Sequence, residues 1–243
     1  MFQSLVIIPT YNEKENISAI IEAVFALEEP FHILVVDDNS SDGTAGIVKE
    51  MMEKKYAGRL FLEQRSGKLG LGTAYIHGFR WALSGSYEYI FEMDADFSHN
   101  PKDLILLLNA CRNEGADFAI GSRYVKGVTV VNWPIGRVLI SYFASVYVRK
   151  ITGMPVRDAT AGFLCYKRKV LEKINFEKIK FIGYAFQIEM KFTAWKSGFR
   201  YKEVPVIFVD RKKGKSKMSS GIFSEAFFGV LEMKIKSWFR KYL

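Results

Sequence analysis

The sequence predicts an α/β fold with a mostly parallel sheet flanked by helices. Short apolar runs alternate with segments of helical periodicity four or five times within residues 1–123, and polar side chains follow each apolar run. Such alternation favours a parallel sheet covered by helices. Because ligands of these sheets bind at the carboxyl ends of the strands, the polar residues at those ends are the first candidates for a site.

The amino-terminal half contains five predicted strands, each a short apolar run bounded by polar or turn residues. They cover residues 5–8, 33–36, 59–63, 89–93 and 118–123. Pro9 is expected to stop the first strand. Apolar residues at helical spacing predict helices over about 13–27, 44–52, 72–83 and from Pro101 onward.

The pattern changes after residue 123. Residues 138–148 are uncharged and predict an amphipathic helix on a lipid-facing surface, within an acceptor segment at about 126–150. A strand at 164–166, a helix at 183–195 and a strand at 204–209 follow, with Pro205 near the start of that last strand in an edge or strand-entry position. We expect a catalytic domain over residues 1–220 and a basic amphipathic helix over 221–243.

Composition narrows the function classes. Of the 243 residues 49% are hydrophobic, so the chain can bury a large core and is not expected to be disordered. The longest stretch without Asp, Glu, Lys or Arg has about 12 residues, short of the ~18–20 needed to cross a bilayer. No secretory signal is visible, and Cys111 and Cys165 are expected to be reduced core thiols of a cytoplasmic protein.

The net charge of +9 is concentrated at the carboxyl end. Residues 211–243 contain nine Lys and Arg against two Glu, a net charge of +7. Such a segment typically binds an anion, which can be nucleic acid, a membrane surface or a phosphorylated ligand. The alternative is a solvated basic face. Aromatic residues interleaved with this charge suit a helix on anionic lipid, and packing against a partner helix is the alternative.

Two acids follow the apolar run at 89–93. In an extended chain Asp94 and Asp96 would point to the same face, and adjacent carboxylates are costly unless a cation lies between them. Mg²⁺ or Mn²⁺ prefers such oxygen ligands and usually shares them with substrate phosphates. The pair therefore suggests a metal-bridged phosphate site, and the alternative is a solvated acidic turn that caps the next helix.

Other polar groups would join this site because they also follow strands. These groups are Tyr11, Glu13, Asp37, Asp38 and Arg123. The glycine-rich loop at residues 67–72 matches neither a nucleoside-triphosphate loop nor a dinucleotide fingerprint, which disfavours nicotinamide binding. Arg137 and Ser141, four apart, would share a helical face suited to a phosphate headgroup, or Arg137 is an ordinary surface arginine. The basic segment 210–217 is a mobile lid over a diphosphate or a solvated charge run.

Several motifs together resemble the inverting glycosyltransferases of family 2, which have the GT-A fold. They are Pro9-Thr-Tyr-Asn-Glu13, Val36-Asp-Asp-Asn-Ser-Ser-Asp-Gly-Thr44, Lys68-Leu-Gly-Leu-Gly-Thr-Ala-Tyr-Ile-His-Gly78, Met93-Asp-Ala-Asp-Phe-Ser-His99 and Gly121-Ser-Arg123. Asp158-Ala-Thr-Ala-Gly-Phe163, Gly183-Tyr-Ala-Phe-Gln187 and Val209-Asp-Arg211 narrow the resemblance to the polyprenol-phosphate (dolichol-phosphate) mannose synthases. It spans about residues 4–220.

The resemblance implies roles for individual positions. Residues implied in binding the donor, GDP-mannose, are Pro9, Tyr11, Glu13, Val36, Asp38, Asp94, Ala95, Asp96, Arg123, Arg211 and Lys217. Those implied in catalysis are Asp94, Asp96, Arg123 and Arg211. Arg123, Arg137 and Ser141 would bind the acceptor phosphate, and Asp96 with Ser98 would bind Mg²⁺ or Mn²⁺, although a neutral hydroxyl is a poorer ligand than a carboxylate or amide.

The implied reaction transfers mannose from GDP-mannose to a polyprenyl phosphate with inversion, giving a β-mannosyl phosphate lipid. The expected setting is the cytoplasmic face of a membrane, with a small membrane partner subunit as a further option and no nucleic acid. UDP-glucose or a UDP-amino sugar is the alternative donor. A sugar-nucleotide binding protein on membranes is the alternative that is not an enzyme.

Overall fold

The computed structural model describes residues 3–210, 221–239 and 242, without the side chains of residues 184 and 221–226. Seven strands form one sheet in the order β3-β2-β1-β4-β7-β5-β8. All neighbouring pairs are parallel except the two that involve β7, which is antiparallel to both β4 and β5. The predicted α/β fold with a mostly parallel sheet is therefore confirmed.

The strands and helices have the following bounds. The strands of the sheet are β1 (Ser4–Thr10), β2 (Phe31–Asp37), β3 (Leu60–Gln64), β4 (Tyr89–Glu92), β5 (Phe118–Ser122), β7 (Leu164–Lys167) and β8 (Tyr201–Pro205). A second, two-stranded sheet pairs β6 (Val130–Val131) with β9 (Phe208–Val209). The α-helices are α1 (Ile17–Phe25), α2 (Thr44–Lys54), α3 (Leu71–Ser84), α4 (Asp103–Arg112), α5 (Ile135–Thr152), α6 (Arg168–Lys173), α7 (Tyr184–Lys196) and α8 (Gly221–Lys236).

The two faces of the sheet are both covered, which explains why its central strands are continuous apolar runs rather than alternating ones. On β1, Leu5 and Ile7 belong to the core cluster on one side, while Val6 and Ile8 belong to the cluster on the other. Helices α3 and α7 contribute to the first cluster, and α1 and α4 contribute to the second. The sheet can therefore hold its loops rigidly at the carboxyl ends of the strands.

Gly78 lets helix α3 lie close against β1, so enlarging it should destabilise the fold. A Cβ at Gly78 would lie 2.7 Å from Cγ2 of Ile7, a distance that forces the helix or the strand to move. We expect Gly78→Ala to lower the free energy of unfolding by about 1–3 kcal/mol, the usual cost of overpacking a core. Chemical denaturation of the purified variant measures this change.

Gly46 is the matched control because it also lies inside a helix, α2, and a Cβ there would meet nothing within 4 Å. We expect Gly46→Ala to raise the free energy of unfolding by up to about 1 kcal/mol, since alanine is the better helix former. Equal effects of the two substitutions would contradict the close packing of α3 on β1.

Several predicted boundaries need correction. Pro9 does not stop β1, which continues to Thr10, because β4 pairs with β1 only as far as Ile7 and Pro9 lies beyond that ladder, where no N–H is needed. Pro205 lies at the end of β8, not near the start, although β8 is an edge strand as expected. Phe208 and Val209 form the separate strand β9, so residues 204–209 are not one strand.

The carboxyl-terminal helix is shorter than predicted. Helix α8 ends at Lys236 and residues 237–239 form a turn, so the expected helix over 221–243 is wrong at those residues. Val230 and Met233 are buried, while Phe227 and Phe228 are 50% and 68% exposed. In the described part of the chain, no helix combines the length and the apolar character needed to span a bilayer.

Candidate active site

A cavity of about 560 Å³ opens beside the carboxyl ends of β4 and β5. Its polar residues come from loops after these strands and from the helices around them: Asp94, His99, Arg123, Arg137, Ser141, Thr160 and Gln187. Its apolar wall comes mainly from α5 and α8, including Ile140, Phe143, Tyr147, Phe227 and Val230. The cavity thus combines charged and hydroxyl side chains with an apolar wall.

Asp94 and Asp96 lie in a bend after β4, not on it, so the strand argument for their shared face was wrong. The bend is shaped by Phe97, which adopts the left-handed region with φ 60°, and by Asp96, whose Oδ1 accepts the Ser98 amide at 3.0 Å. Asp94 lines the cavity and accepts a 3.5 Å contact from the Tyr75 hydroxyl. Asp96 is buried behind it.

The donor set around Asp96 fits a divalent cation. The hydroxyl of Ser98 is buried and has no hydrogen-bond partner, which is unusual for a polar atom in a protein interior. A cation held by Asp96 and Ser98 would satisfy that oxygen. Within the described residues, no group of three or more His, Cys, Asp and Glu is arranged to hold a metal ion alone. Phosphate oxygens would therefore have to complete the coordination shell.

His99 lines the cavity, although the sequence analysis assigned it no role. Its ring stacks on Phe163 with centroids 4.8 Å apart, and its Nδ1 accepts the Asp94 amide at 3.3 Å. Burial lowers the pKa of His99 to about 4, with Asp96 opposing the shift. The ring is therefore neutral at physiological pH and holds the 94–99 bend as an uncharged acceptor.

Arg123 forms a buried ion pair with Asp158, the loop acid that the analysis had not placed in the site. Its Nε donates to Oδ2 of Asp158 at 2.7 Å and its Nη2 to Oδ1 at 2.6 Å, and Nη2 also reaches the Thr160 hydroxyl at 2.8 Å. Two parallel bonds of this kind are strong and set the orientation of the guanidinium. Arg123 therefore enters the cavity wall already held by Asp158 rather than as an isolated cation.

Arg137 and Ser141 lie on the same side of α5 and line the same cavity, as their spacing predicted. Arg137 stacks over the Trp133 ring at 4.1 Å and pairs with Asp210 at 2.9 Å. Ser141 accepts a hydrogen bond from the Tyr124 hydroxyl at 2.7 Å. Both residues are thus oriented toward a common space, and Arg137 remains about a third exposed.

At the carboxyl end of β2, Asp38 is held by Arg65. The Arg65 Nε donates to Oδ1 of Asp38 at 2.6 Å, while Nη1 donates to Thr73 at 2.8 Å at the start of α3. Oδ2 of Asp38 accepts the Leu69 amide at 3.3 Å. Asp38 therefore joins the end of β2 to the glycine-rich loop, and Arg65 is a site residue that the sequence analysis missed.

The remaining predicted donor residues differ in accessibility. Tyr11 is partly exposed with the Lys68 ammonium 4.9 Å from its ring centre, and Glu13 is partly exposed just before α1. Pro9 is also partly exposed, whereas Ala95 is buried. Val36 is fully buried in the core, which does not support its predicted contact with a ligand.

Two predicted residues, Arg211 and Lys217, lie outside the described residues, as does the lid predicted at 210–217 apart from Asp210. The structure brings Asp94, Arg123, Arg137 and Ser141 to one cavity. Asp96 and Ser98 lie directly behind it in the 94–99 bend. Tyr11, Glu13 and Asp38 lie at the ends of β1 and β2, the neighbouring strands.

Sequence comparison identifies relatives of this arrangement. Residues 5–175 match the glycosyl transferase family 2. Polyprenol monophosphomannose synthase of Mycolicibacterium smegmatis is 46% identical over 234 residues, covering 96% of this chain and 88% of that protein. Undecaprenyl-phosphate mannosyltransferase of Micrococcus luteus is 42% identical over 226 residues, covering 93% and 91%.

Solved structures share the architecture. Glucosyl-3-phosphoglycerate synthase from Mycobacterium tuberculosis, in complex with Mn²⁺, UDP and glucosyl-3-phosphoglycerate, superposes with a TM-score of 0.67 at 16% identity, covering 97% of this chain and 79% of that one. A mannosyltransferase from Pyrobaculum calidifontis in complex with GDP-Man and Mn²⁺ gives 0.59 at 17%, covering 97% and 73%.

The fold and the polar cavity at the strand ends define a glycosyltransferase of the GT-A type. The chain belongs to glycosyl transferase family 2. The family resemblance found in the motifs is thus confirmed.

Proposed function

We propose that the protein transfers mannose from GDP-mannose to a polyprenyl monophosphate, giving polyprenyl β-mannosyl phosphate and GDP. The observation that carries the proposal is the lining of the cavity, in which cationic and hydroxyl side chains share one space with an apolar wall from α5 and α8. A phosphate on a long aliphatic chain is a matching ligand, because it has an anionic head and an apolar tail. The names of the two curated relatives, both polyprenyl-phosphate mannosyl enzymes, support it.

The residues of the cavity suit a direct displacement. A lipid phosphate is already anionic near neutral pH, so the enzyme needs little general-base assistance. Arg137 and Ser141 would orient the phosphate, whose oxygen forms the bond to the anomeric carbon as the bond to GDP breaks and GDP leaves with the electron pair. Attack from the face opposite GDP inverts the anomeric carbon.

Charge neutralisation on the donor side would come from a cation and from basic residues. Asp96 and Ser98 would hold Mg²⁺ or Mn²⁺, which would neutralise the diphosphate of departing GDP. The neighbours with nucleotide sugars and Mn²⁺ in their structures support this assignment. Asp94 would lie against the donor at the cavity edge, and Arg211 and Lys217 would close on the diphosphate. Tyr11, Glu13 and Asp38 would hold guanine and ribose.

The apolar side of the cavity suits a membrane surface. Ile140, Phe143 and Phe227 line the cavity, and their side chains are also 54%, 60% and 50% exposed. The cavity therefore opens through an apolar rim. An exposed apolar patch of this kind is typical of a surface that contacts lipid or a partner. We propose a peripheral position on the cytoplasmic face, where a polyprenyl chain could enter without leaving the bilayer.

Transfer of radiolabelled mannose into the organic phase tests the function. The assay contains GDP-mannose, a polyprenyl phosphate and Mn²⁺, and we expect label in lipid that disappears with EDTA and returns with added metal. Label transferred from UDP-glucose but not from GDP-mannose would show that the proposed donor sugar and base are wrong, while the proposed displacement mechanism would stand. No transfer from either donor would contradict the proposed enzymatic activity. A product with retained configuration at the anomeric carbon would contradict the proposed inversion.

Arg137 provides a specific prediction about the acceptor. Because its guanidinium lines the cavity and stacks on Trp133, we expect Arg137→Ala to raise KM for polyprenyl phosphate about 10- to 100-fold, the effect of losing one charged hydrogen bond of about 1.5–3 kcal/mol. KM for GDP-mannose should stay within twofold. Steady-state kinetics with each substrate varied in turn separates the two constants.

Arg149→Ala is the matched control because Arg149 is on the same helix, is partly buried and does not line the cavity. Equal increases in acceptor KM for both variants would assign the effect to the charge of α5 as a whole. An unchanged acceptor KM in Arg137→Ala would remove Arg137 from the acceptor site.

A further inference from the structure

Helix α7 runs through the interior behind the cavity and carries four buried polar side chains: Gln187, Glu189, Lys191 and Thr193. Lys191 stands out because its whole side chain, ammonium included, is removed from solvent. Lysine is almost never fully buried without a partner, since burial of a lone ammonium is expensive. The proposed chemistry does not use Lys191, so its burial calls for another explanation.

Lys191 reaches the loop that holds Arg123. Its Nζ donates to the carbonyl oxygen of Ala161 at 2.5 Å, and Ala161 lines the cavity. Within the same loop, Asp158 and Thr160 accept the bonds from the Arg123 guanidinium. One ammonium on α7 therefore fixes the backbone of a loop whose side chains in turn set the position of Arg123.

A second contact, one helical turn before Lys191, attaches α7 to the end of β4. The Gln187 amide donates to the buried carboxylate of Glu92, the last residue of β4. Gln187 and Lys191 are four residues apart and so share a face of α7. That face is attached at two points, to the end of β4 and to the loop at 158–162.

The two buried cations beside this loop are compensated in different ways. Asp158 offsets Arg123 directly, whereas in the described part of the chain Lys191 has no carboxylate within 4 Å. Burial lowers the pKa of Lys191 to about 8, and the charges of Glu92 and Asp158 oppose that shift. Lys191 is therefore held in place by a carbonyl and by more distant acids, an arrangement that positions a loop better than it stabilises a fold.

We infer that Lys191 is a positioning residue for the reaction: it fixes the 158–162 loop and thereby the Arg123 guanidinium at the cavity. Its effect on transfer rests on the proposed function, whereas its effect on the loop does not. Removing the Lys191 ammonium should loosen residues 158–162 and impair use of the acceptor. It should leave donor binding at the ends of β1 and β2 intact.

The test variant is Lys191→Met, which keeps the length of the side chain and removes the charge and the donor. Among the described residues Lys191 makes no direct ion pair, so its replacement by an apolar side chain of similar length strands no contacting carboxylate, and we expect the variant to fold. Lys191→Gln keeps an N–H donor without the charge and should show the same effects, smaller in size. The matched control is Thr193→Val on the same helix, because the Thr193 hydroxyl is buried and has no partner.

Hydrogen exchange of the purified proteins measures the loop without any substrate. In Lys191→Met we expect amides of residues 157–163 to exchange about tenfold faster, with β1 and β2 unchanged and Thr193→Val equal to the wild type. Exchange within twofold of wild type in the loop would overturn the inference. Uniform acceleration that includes β1 and β2 would also overturn it, since Lys191 would then serve only global stability.

Kinetics adds the functional readout. We expect kcat/KM for polyprenyl phosphate to fall about 10- to 100-fold in Lys191→Met, the range for a misplaced contact group, while the Kd for GDP-mannose stays within twofold. A loosened loop with unchanged acceptor kinetics would overturn the link to the reaction. If the wild type itself transfers no mannose, the proposed function fails, and the exchange experiment still decides whether Lys191 positions the loop.

Discussion

Replacing Asp158 by alanine should cost more stability than any other single substitution in the site. The change leaves the Arg123 guanidinium buried without the carboxylate that now accepts two of its bonds and a third from the Arg123 backbone amide. Breaking one side of a buried ion pair costs about 3–5 kcal/mol, a large part of the ~5–15 kcal/mol that stabilises a typical protein. For a chain of this size the thermal midpoint should fall by about 10 °C.

Transfer should fall together with stability but should not recover on cooling. Arg123 lines the cavity, so a displaced guanidinium should lower kcat/KM at least about 100-fold even at temperatures where the variant is folded. Calorimetry and transfer assays on the same sample distinguish the two effects. Full activity in a folded Asp158→Ala protein would show that the orientation of Arg123 is irrelevant to the reaction.

A surface ion pair provides the control for stability. Arg80 and Glu177 pair across the structure, but their side chains are 54% and 81% exposed. Glu177→Ala should therefore change the free energy of unfolding by less than about 1 kcal/mol. A loss as large as that of Asp158→Ala would mean that burial does not explain the difference.

Lowering the pH should remove the stabilisation that the same Arg123–Asp158 ion pair gives the wild type. Burial alone would raise the pKa of Asp158, but the charge and hydrogen bonds of Arg123 hold it below its ordinary value. A carboxyl group with a lowered folded-state pKa stabilises the protein above its unfolded pKa, and that stability is lost as pH falls through the folded pKa. The stability difference between wild type and Asp158→Ala should therefore narrow below about pH 4.

These pairs show where sequence patterns stop being informative. The Arg137 and Ser141 side chains were placed together because four residues of helix have a known geometry. Arg123 and Asp158 are 35 residues apart, and Gln187 and Glu92 are 95 apart, so no local periodicity links them. Their contacts exist only because the sheet brings the end of β5 and the end of β4 beside α7.

Strand direction was equally hidden. Residues 164–166 of β7 form an apolar run whose composition is the same whether the strand lies parallel or antiparallel, and β7 enters the sheet between β4 and β5. The alternation of strands and helices before residue 123 predicted the parallel part, because each helix must return the chain to the same edge. Because β7 runs in the reverse direction, the loop at 158–162 that precedes it packs beneath the cavity. Asp158 belongs to this loop and is therefore placed there as well.

Asp96→Asn should have the largest effect on catalysis with little effect on the fold. The asparagine carbonyl can still accept the Ser98 amide, which now bonds to Oδ1 at 3.0 Å, but the negative charge for the cation is lost. If the cation contributes about 4 kcal/mol to the transition state, transfer should fall about a thousandfold. The thermal midpoint without metal should stay within about 2 °C of the wild type.

Asp42→Asn is the matched control for this substitution. Asp42 makes the same kind of turn, with its Oδ1 accepting the Thr44 amide at 3.0 Å, but it lies in the loop between β2 and α2 rather than in the 94–99 bend. It should keep transfer within a few fold of wild type. Comparable transfer rates in Asp96→Asn and wild type at saturating Mn²⁺ would exclude Asp96 as a metal ligand.

Ser98→Ala separates a metal ligand from a merely buried hydroxyl. Because the Ser98 oxygen has no partner, its removal should not lower the thermal midpoint in EDTA and should raise it slightly if it changes at all. With Mn²⁺ and GDP present, however, the variant should require more metal for half-maximal stabilisation than the wild type. A ligand that binds only the folded state stabilises it by an amount set by its affinity, so this shift reports binding without turnover. Identical metal titrations would leave Asp96 as the protein ligand and assign the buried hydroxyl to packing, whereas a shifted titration would make Ser98 a ligand despite its lack of charge.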